Sequence, residues 1–188
     1  MIDLYGYWGT YTNFLSRRVV VQGKNGPADI TDPTKWNIYS LVVNAPGEVT
    51  TNGWGIGLEY LLPKSFTIGV NASSDELADV PAEFQSGFNA PKYRVNTTLA
   101  NNGFGPSKRI SAAVTARWQD EVIWESDFAS GVDPSFFTMD VQVSYKLPAQ
   151  RSIFKLGANN IFNKYYRTAF GNPQVGGLYY ISFGYNVF

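Results

Sequence analysis

Apolar and polar residues alternate along most of this chain with a period of two, the spacing of strands whose side chains point to opposite faces. Trp54, Ile56, Leu58, Tyr60 and Leu62 share one face, and Gly53, Gly55, Gly57 and Glu59 share the other. After Pro63-Lys64, Phe66, Ile68, Val70 and Ala72 alternate with Thr67, Gly69, Asn71 and Ser73, which predicts a hairpin with a short connection. The pattern returns in "YRVNTTL" from Tyr93, "RISAAVTARW" from Arg109, "FFTMDVQVSYKL" from Phe136, "IFKLGANN" from Ile153 and "LYYISFGYNVF" from Leu178. Charged residues keep to the polar face throughout. Arg94, Arg109, Arg117, Asp140, Lys146 and Lys155 all fall there.

The front of the chain is less regular. "DLYGYWGTYTNFLSRRVVVQ" reads as one long strand with mixed faces, and "GKNGPADITDPT" as a polar loop. Trp36 to Leu62 is one very long strand kinked near Pro46-Gly47, or two strands. On the first count there are eight strands, with the last running back toward the short connections.

Those connections alternate in length. Pro63-Lys64, Gly103 to Lys108 and Pro148 to Arg151 are short, while Ser74 to Pro91, Glu125 to Ser135 and Asn163 to Gly177 are long. Transmembrane barrels have short periplasmic turns and long extracellular loops in this order. Rings also gather at two levels: Tyr60, Phe66, Tyr145, Phe154 and Tyr185 near the short turns, and Trp54, Tyr93, Trp118, Phe137 and Tyr179 toward the long loops. Two such levels fit the girdles at the edges of a bilayer.

A one-sided antiparallel sheet in water would alternate in the same way, so composition has to help. Aromatics and charged residues each make up 16% of the chain, where about 25% charged is usual. No run nears the roughly 18 apolar residues of a spanning helix, so only strands could cross a membrane. Lys plus Arg equals Asp plus Glu, 15 each, which argues against nucleic acid as a partner. There is no cysteine and no histidine. That removes disulfides, thiolate metal sites, the usual zinc ligand and every Ser-His or Cys-His nucleophile. The expectation is a protein that is not an enzyme, with no catalytic, metal or cofactor site.

Several local patterns lose to simpler accounts. "GWGIG" at Gly53 to Gly57 resembles a phosphate loop but lies mid-strand with no helix after it. Its small inward side chains instead leave room for something packed against the wall. Asp120-Glu121 and Asp75-Glu76 are expected at loop edges as solvated charge, since adjacent strand residues face opposite ways. The glycosylation sequons at Asn71 and Asn96 fall inside strands. The six inward charges carry two readings of equal weight: a polar lumen that contacts a plug or solute, or mutual salt-bridging that solvates the interior.

The closing segment resembles the C-terminus of a TonB-dependent outer-membrane receptor. The residues that carry this are "KLGANNIFNKYY" (Lys155 to Tyr166), Gly171 to Pro173, and "GGLYYISFGYNVF" to the end. "FNAPKYRVN" from Phe88 is similar to the F-N-T-P-K-x-x-V stretch of Bacteroidetes members, with Ala90 where Thr is usual. "DVQVSYKL" and "YGYWGTYTNF" also fit that group.

The resemblance implies an all-β antiparallel transmembrane barrel segment in the bacterial outer membrane. Residues 1–188 would form one unit, about eight strands of a 22-stranded barrel. The N-terminal plug, the TonB box and any export signal would belong upstream. The implied activity is binding and active import of a scarce solute (siderophore, cofactor or oligosaccharide). The implied partners are outer-membrane lipid, the plug and remaining barrel, the TonB complex through the N-terminal part, and the barrel-assembly machinery. Ligand contact is expected from Glu83, Phe84 and Phe88 in one long loop and Tyr165, Tyr166, Arg167 and Phe170 in another. Tyr185, Val187 and Phe188 are the candidates for the assembly signal, although Phe188 falls off the stripe of Ile181, Phe183, Tyr185 and Val187.

Two other classes stay open at this point. One is a free-standing small outer-membrane barrel, an enzyme or porin-like, since eight strands can close. The other is a soluble β-barrel carrier, which would have to hide the apolar faces of seven strands in one small core. Eight strands cut from a larger wall would expose two unpaired edges and are not expected to transport alone.

Overall fold

The structure, a computed structural model, describes residues 1–27, 31–127 and 129–186. Its twelve strands are β1 (Ile2–Thr12), β2 (Leu15–Gly23), β3 (Trp36–Asn44), β4 (Glu48–Leu62), β5 (Phe66–Ala78), β6 (Tyr93–Phe104), β7 (Ile110–Gln119), β8 (Val122–Trp124), β9 (Gly131–Asp133), β10 (Phe136–Leu147), β11 (Ser152–Asn159) and β12 (Leu178–Tyr185). Eight form one antiparallel sheet in the order β1-β4-β5-β6-β7-β10-β11-β12, and β2-β3 and β8-β9 are separate hairpins. The chain is therefore all-β, a wall segment of the barrel type.

The front of the chain differs from the pattern-based expectation. The opening run is two strands, because Asn13 takes a φ of 57° and ends β1. Trp36 to Leu62 is also two strands, parted by Pro46 and by Gly47 at a φ of 84°, a conformation that glycine adopts without a Cβ clash. The two breaks lie opposite each other, joined by the Ala45 N–H donating to the Phe14 carbonyl at 2.8 Å. One bent hairpin results. β1 pairs with β4 in the wall, and β2 pairs with β3 as its continuation past the long-loop ends. Asp75 and Glu76, expected at a loop edge, lie within β5, which pairs with β4 as far as Ala78.

Register puts the apolar residues side by side. One row runs Tyr60, Ile68, Leu99, Val114, Val141, Ala158, Tyr179 across seven strands. It begins near the short-turn end of β4 and finishes near the long-loop end of β12, the stagger expected of tilted strands. Apart from Ala158, the residues of this row are not buried. Leu156 is 61% exposed and Ile181, directly opposite it, 80%. Among the described residues only Ala45, Val49, Phe84, Val122 and Ala158 are buried hydrophobics. Soluble monomers rarely bare a continuous apolar surface beyond a few hundred Å², so hydrocarbon is the solvent that suits this face.

Rings bracket the face as expected. Phe66 and Phe104 meet edge to face at 5.8 Å, and Phe154 packs on Phe183 at 4.8 Å, both near the short turns. Toward the long loops, Trp118 lies opposite Phe137, and Trp54 and Tyr93 flank Ser74 from either side. Tyr185 ends β12 near the short-turn side, opposite Ser152. Val187 and Phe188, the other two candidates for the assembly signal, lie outside the described residues.

Candidate functional site

The inner face of the wall is lined by tyrosine, glycine and paired charge. Tyr5 stands opposite Gly55, Tyr7 opposite Gly53 and Tyr180 opposite Gly157. In each pair the ring lies across the glycine so closely that a Cβ there would sit within 2.2–2.5 Å of ring carbons. The room left by small inward residues is thus filled by neighbouring rings of the wall itself.

The charges divide by position. The Arg94 guanidinium donates to Asp75 at 2.6 Å, and the Tyr7 hydroxyl donates to the same carboxylate at 2.8 Å. Arg117 pairs with Asp140, whose other oxygen accepts the Asn160 N–H at 2.9 Å. Among the described residues Arg109, Lys146 and Lys155 have no ion-pair partner. The salt-bridging reading of the inward charges therefore holds for Arg94, Arg117 and Asp140.

At the long-loop end, two clusters form around the expected contact residues. In the first, the segment between β5 and β6 folds onto the β2-β3 hairpin. Arg17 and Gln85 exchange backbone hydrogen bonds at 3.0 and 2.7 Å, and Ser16 donates its hydroxyl to the Gln85 carbonyl. Arg18 donates to Glu83 at 2.6 Å and lies 5.8 Å over the buried Phe84 ring. Glu125 ties down the far side, accepting from Ser86 and from the Gly87 N–H. Glu83 and Phe84 hold the loop to the hairpin, and Phe84 and Phe88 both line a cavity of about 510 Å³ together with Lys92, Asp120, Glu121 and Ile123. Glu76, 2.8 Å from Lys92, raises that ammonium's pKa above its ordinary value.

The second cluster brings the loop between β11 and β12 against the β8-β9 hairpin. Asn160 shapes its start by accepting the Lys164 N–H and donating to the Lys164 carbonyl. Tyr166 and Val175 exchange backbone hydrogen bonds, closing the loop on itself. The Tyr166 ring stacks on Phe136 at 4.3 Å and 27°, and Phe170 covers Gly131. Between these contacts lies a cavity of about 260 Å³ lined by Asp133, Phe136, Lys164, Tyr165, Tyr166 and Arg167.

Three of the expected residues, Tyr165, Tyr166 and Arg167, therefore share one cavity, and Phe170 braces it. Glu83, Phe84 and Phe88 sit in the other cluster. Sequence reasoning missed Asp133, Phe136, Glu125 and Asn89. Nothing marks Asp133 in the sequence, because the cavity it lines is completed by a loop some thirty residues later. Asn89 was readable as a polar turn residue, but its exchange of two hydrogen bonds with the Glu125 backbone was not.

Residues 1–161 match the family model described as TonB dependent receptor-like, beta-barrel. No curated protein matches the chain. Among solved structures, the FrpB iron transporter from Neisseria meningitidis is similar at a TM-score of 0.62 and 19% identity, over 98% of this chain and 27% of that one. The ferripyoverdine receptor of the outer membrane of Pseudomonas aeruginosa gives 0.59 and 12%, over 97% and 24%. The copper transporter OprC gives 0.61 and 14%, over 97% and 27%. The chain thus spans about a quarter of the length of these transporters and receptors, and at these identities the likeness establishes the fold.

Proposed function

Because this chain belongs to the TonB-dependent receptor β-barrel family, whose members are outer-membrane proteins, we propose that it forms the C-terminal part of a receptor that binds a scarce solute at its outer mouth and imports it with energy from the TonB complex. Residues 1–188 act in this reading as one unit of a larger barrel of about 22 strands. The observation that carries it is the open eight-stranded sheet, with one bare apolar face between two ring-rich levels and long loops gathered at one end.

The free edges of β1 and β12 favour a larger wall over a closed eight-stranded barrel. The uncovered apolar face weighs against a soluble carrier. Binding and gated passage need no bond making, in keeping with a protein that is not an enzyme. Arg109, Lys146 and Lys155 are offered to the plug, whose facing surface should carry carboxylates. Tyr165, Tyr166, Arg167, Phe170 and Phe88, on a frame held by Glu83 and Phe84, form the outer mouth. Tyr185, with Val187 and Phe188, serves as the assembly signal. The similar proteins are named for iron, ferripyoverdine and copper, but the likeness carries only the fold, so the solute is argued below from this chain's own mouth.

Membrane fractionation followed by heat-modifiable migration tests the placement. The receptor should be found in the outer membrane and migrate faster unheated than heated. Recovery as a soluble monomer without detergent would refute it. Solute accumulation should also stop when TonB is deleted, and uptake that persists unchanged would remove the energy-coupled part of the proposal.

A further inference from the structure

The cavity between the β8-β9 hairpin and the loop before β12 holds a buried, unpartnered carboxylate. Asp133 is only 6% exposed, and its Oδ1 has no hydrogen-bond partner. It lines the same cavity as Lys164 and Arg167, neither of which has an ion-pair partner among the described residues. The Phe136–Tyr166 stack forms part of the wall beside them. A buried carboxylate oxygen is strongly disfavoured without a donor, so this site is built for something that supplies one.

The three charges decide the chemistry of that something. A plain cation would meet Asp133 but be repelled by two positive side chains. A plain anion would be held by Lys164 and Arg167 but leave the Asp133 oxygen unpaired. A group carrying both a donor for Asp133 and an anionic acceptor for the two cations satisfies all three, and a cationic donor makes the stronger, charge-assisted bond to the carboxylate. The volume, about 260 Å³, falls just under the roughly 300 Å³ at which whole small-molecule sites begin. It is therefore sized for one compact unit, with an apolar substituent against the ring stack.

We propose that this cavity binds an amino-carboxylate, its ammonium on Asp133 and its carboxylate on Lys164 and Arg167. The group could belong to a free amino acid or to a larger solute that ends in one. This assigns a ligand class to the mouth and rests on the receptor reading above.

The test is isothermal titration calorimetry on the intact receptor, purified in detergent from outer membranes. Glycine, phenylalanine, glutamate and lysine are the first probes. The tightest of them is then compared with its amine-only and carboxylate-only counterparts, for phenylalanine phenethylamine and 3-phenylpropionate. Saturable binding is expected for at least one amino acid, with each counterpart about tenfold weaker or worse. D133N should weaken the amino acid about ten- to a hundredfold and erase its advantage over the carboxylate-only counterpart. R167Q should reduce the advantage over the amine-only counterpart, and R167Q with K164Q should erase it. The counterpart series is read on the unaltered receptor, so it stands even if a variant misfolds.

The two sources separate by blocking: a free-amino-acid site accepts the parent but loses the α-amide and N-acetyl forms, whereas a site for a larger solute also binds phenylalanine analogues extended at the ring. Binding by none of the four amino acids, equal binding of a parent and its counterparts, glucose in their place, or a D133N variant that binds as the parent does would each overturn the proposal. A receptor that reaches the outer membrane and imports in a TonB-dependent way while failing these titrations refutes the amino-carboxylate site alone. Failure of membrane placement refutes the receptor reading, whatever the titrations give.

Discussion

Alanine placed at Gly53 and, separately, at Gly55 tests how the inner wall is packed. A Cβ on Gly55 has three nearest neighbours, all atoms of the Tyr5 ring and its hydroxyl, at 2.2–2.6 Å. That ring end can swing into the lumen. A Cβ on Gly53 meets the Tyr7 ring at 2.5 Å but also the Ser74 carbonyl oxygen at 2.6 Å. Ser74 belongs to β5, laddered to β4, and its carbonyl cannot retreat without parting the strands.

The magnitudes follow from these contacts. Displacing a ring from a glycine loses several atom pairs at about 0.1–0.2 kcal/mol each, on the order of 1 kcal/mol. Alanine in place of glycine in a strand returns about 0.5–1 kcal/mol. Gly55→Ala should therefore be nearly neutral. Gly53→Ala adds an overpacking cost of about 1–3 kcal/mol. Urea unfolding of the intact receptor in lipid vesicles, followed by heat-modifiable migration, measures both.

The backgrounds without rings sharpen the contrast. In Tyr5→Ala the Gly55→Ala change should become stabilising, by about 0.5–1 kcal/mol. In Tyr7→Ala the Gly53→Ala change should remain destabilising, because the carbonyl clash is untouched. If Gly53→Ala is neutral or stabilising there, the packing argument is wrong.

Three further outcomes are expected. Lysine in place of Ile181, which faces outward opposite Leu156, should destabilise the folded receptor by about 2–4 kcal/mol near the bilayer midplane, whereas Ser182→Glu on the inner face, opposite Lys155, should be tolerated; equal losses in vesicle unfolding would contradict the assignment of faces. Asp140→Ala removes both the Arg117 partner and the acceptor for the Asn160 N–H and should cost more than Arg117→Ala, by about 1–2 kcal/mol; the reverse order in the same unfolding assay would deny that the carboxylate anchors the loop. The Thr34 hydroxyl, and after it Lys35, hold Asp32 below its ordinary 3.8. Its contribution to the tip of the β2-β3 hairpin is then fully present above pH 3.8 and lost as pH falls through the lower folded value. The Thr34 amide resonance should titrate with a midpoint below 3.8, and a midpoint above it would contradict the bonding seen there.

Much of the wall was legible in the chain because strand periodicity and bilayer chemistry act locally. The alternation from Trp54 to Leu62 places its faces without reference to any other strand, and the short Pro63–Ser65 and Pro148–Gln150 turns are encoded within a few residues. The front was harder. Asn13 and Gly47 interrupt runs that still look strand-like, and only the pairing of β2 with β3 shows that they leave the main sheet. The inward charges were readable as a set but not as partners. Which of them pair depends on register, which sets Arg94 near Asp75 and Arg117 beside Asp140.

The sequence by itself determined an all-β chain with one apolar face per strand, rings at both strand ends and long connections at one end, since each follows from side-chain order along the chain; that the apolar face is left bare came from the tertiary structure. The tertiary structure decided what the loops do. Glu83 and Phe84 became braces because Arg18 arrives from a hairpin 65 residues away, and the Tyr5, Tyr7 and Tyr180 rings found their glycines only through cross-strand pairing. Asp133 is an ordinary carboxylate at the end of β9 until the segment around Tyr166 and Phe170 packs against its hairpin. That contact shares a cavity with the unpartnered Asp133 Oδ1, and no local pattern can encode a contact made by a loop so far along the chain.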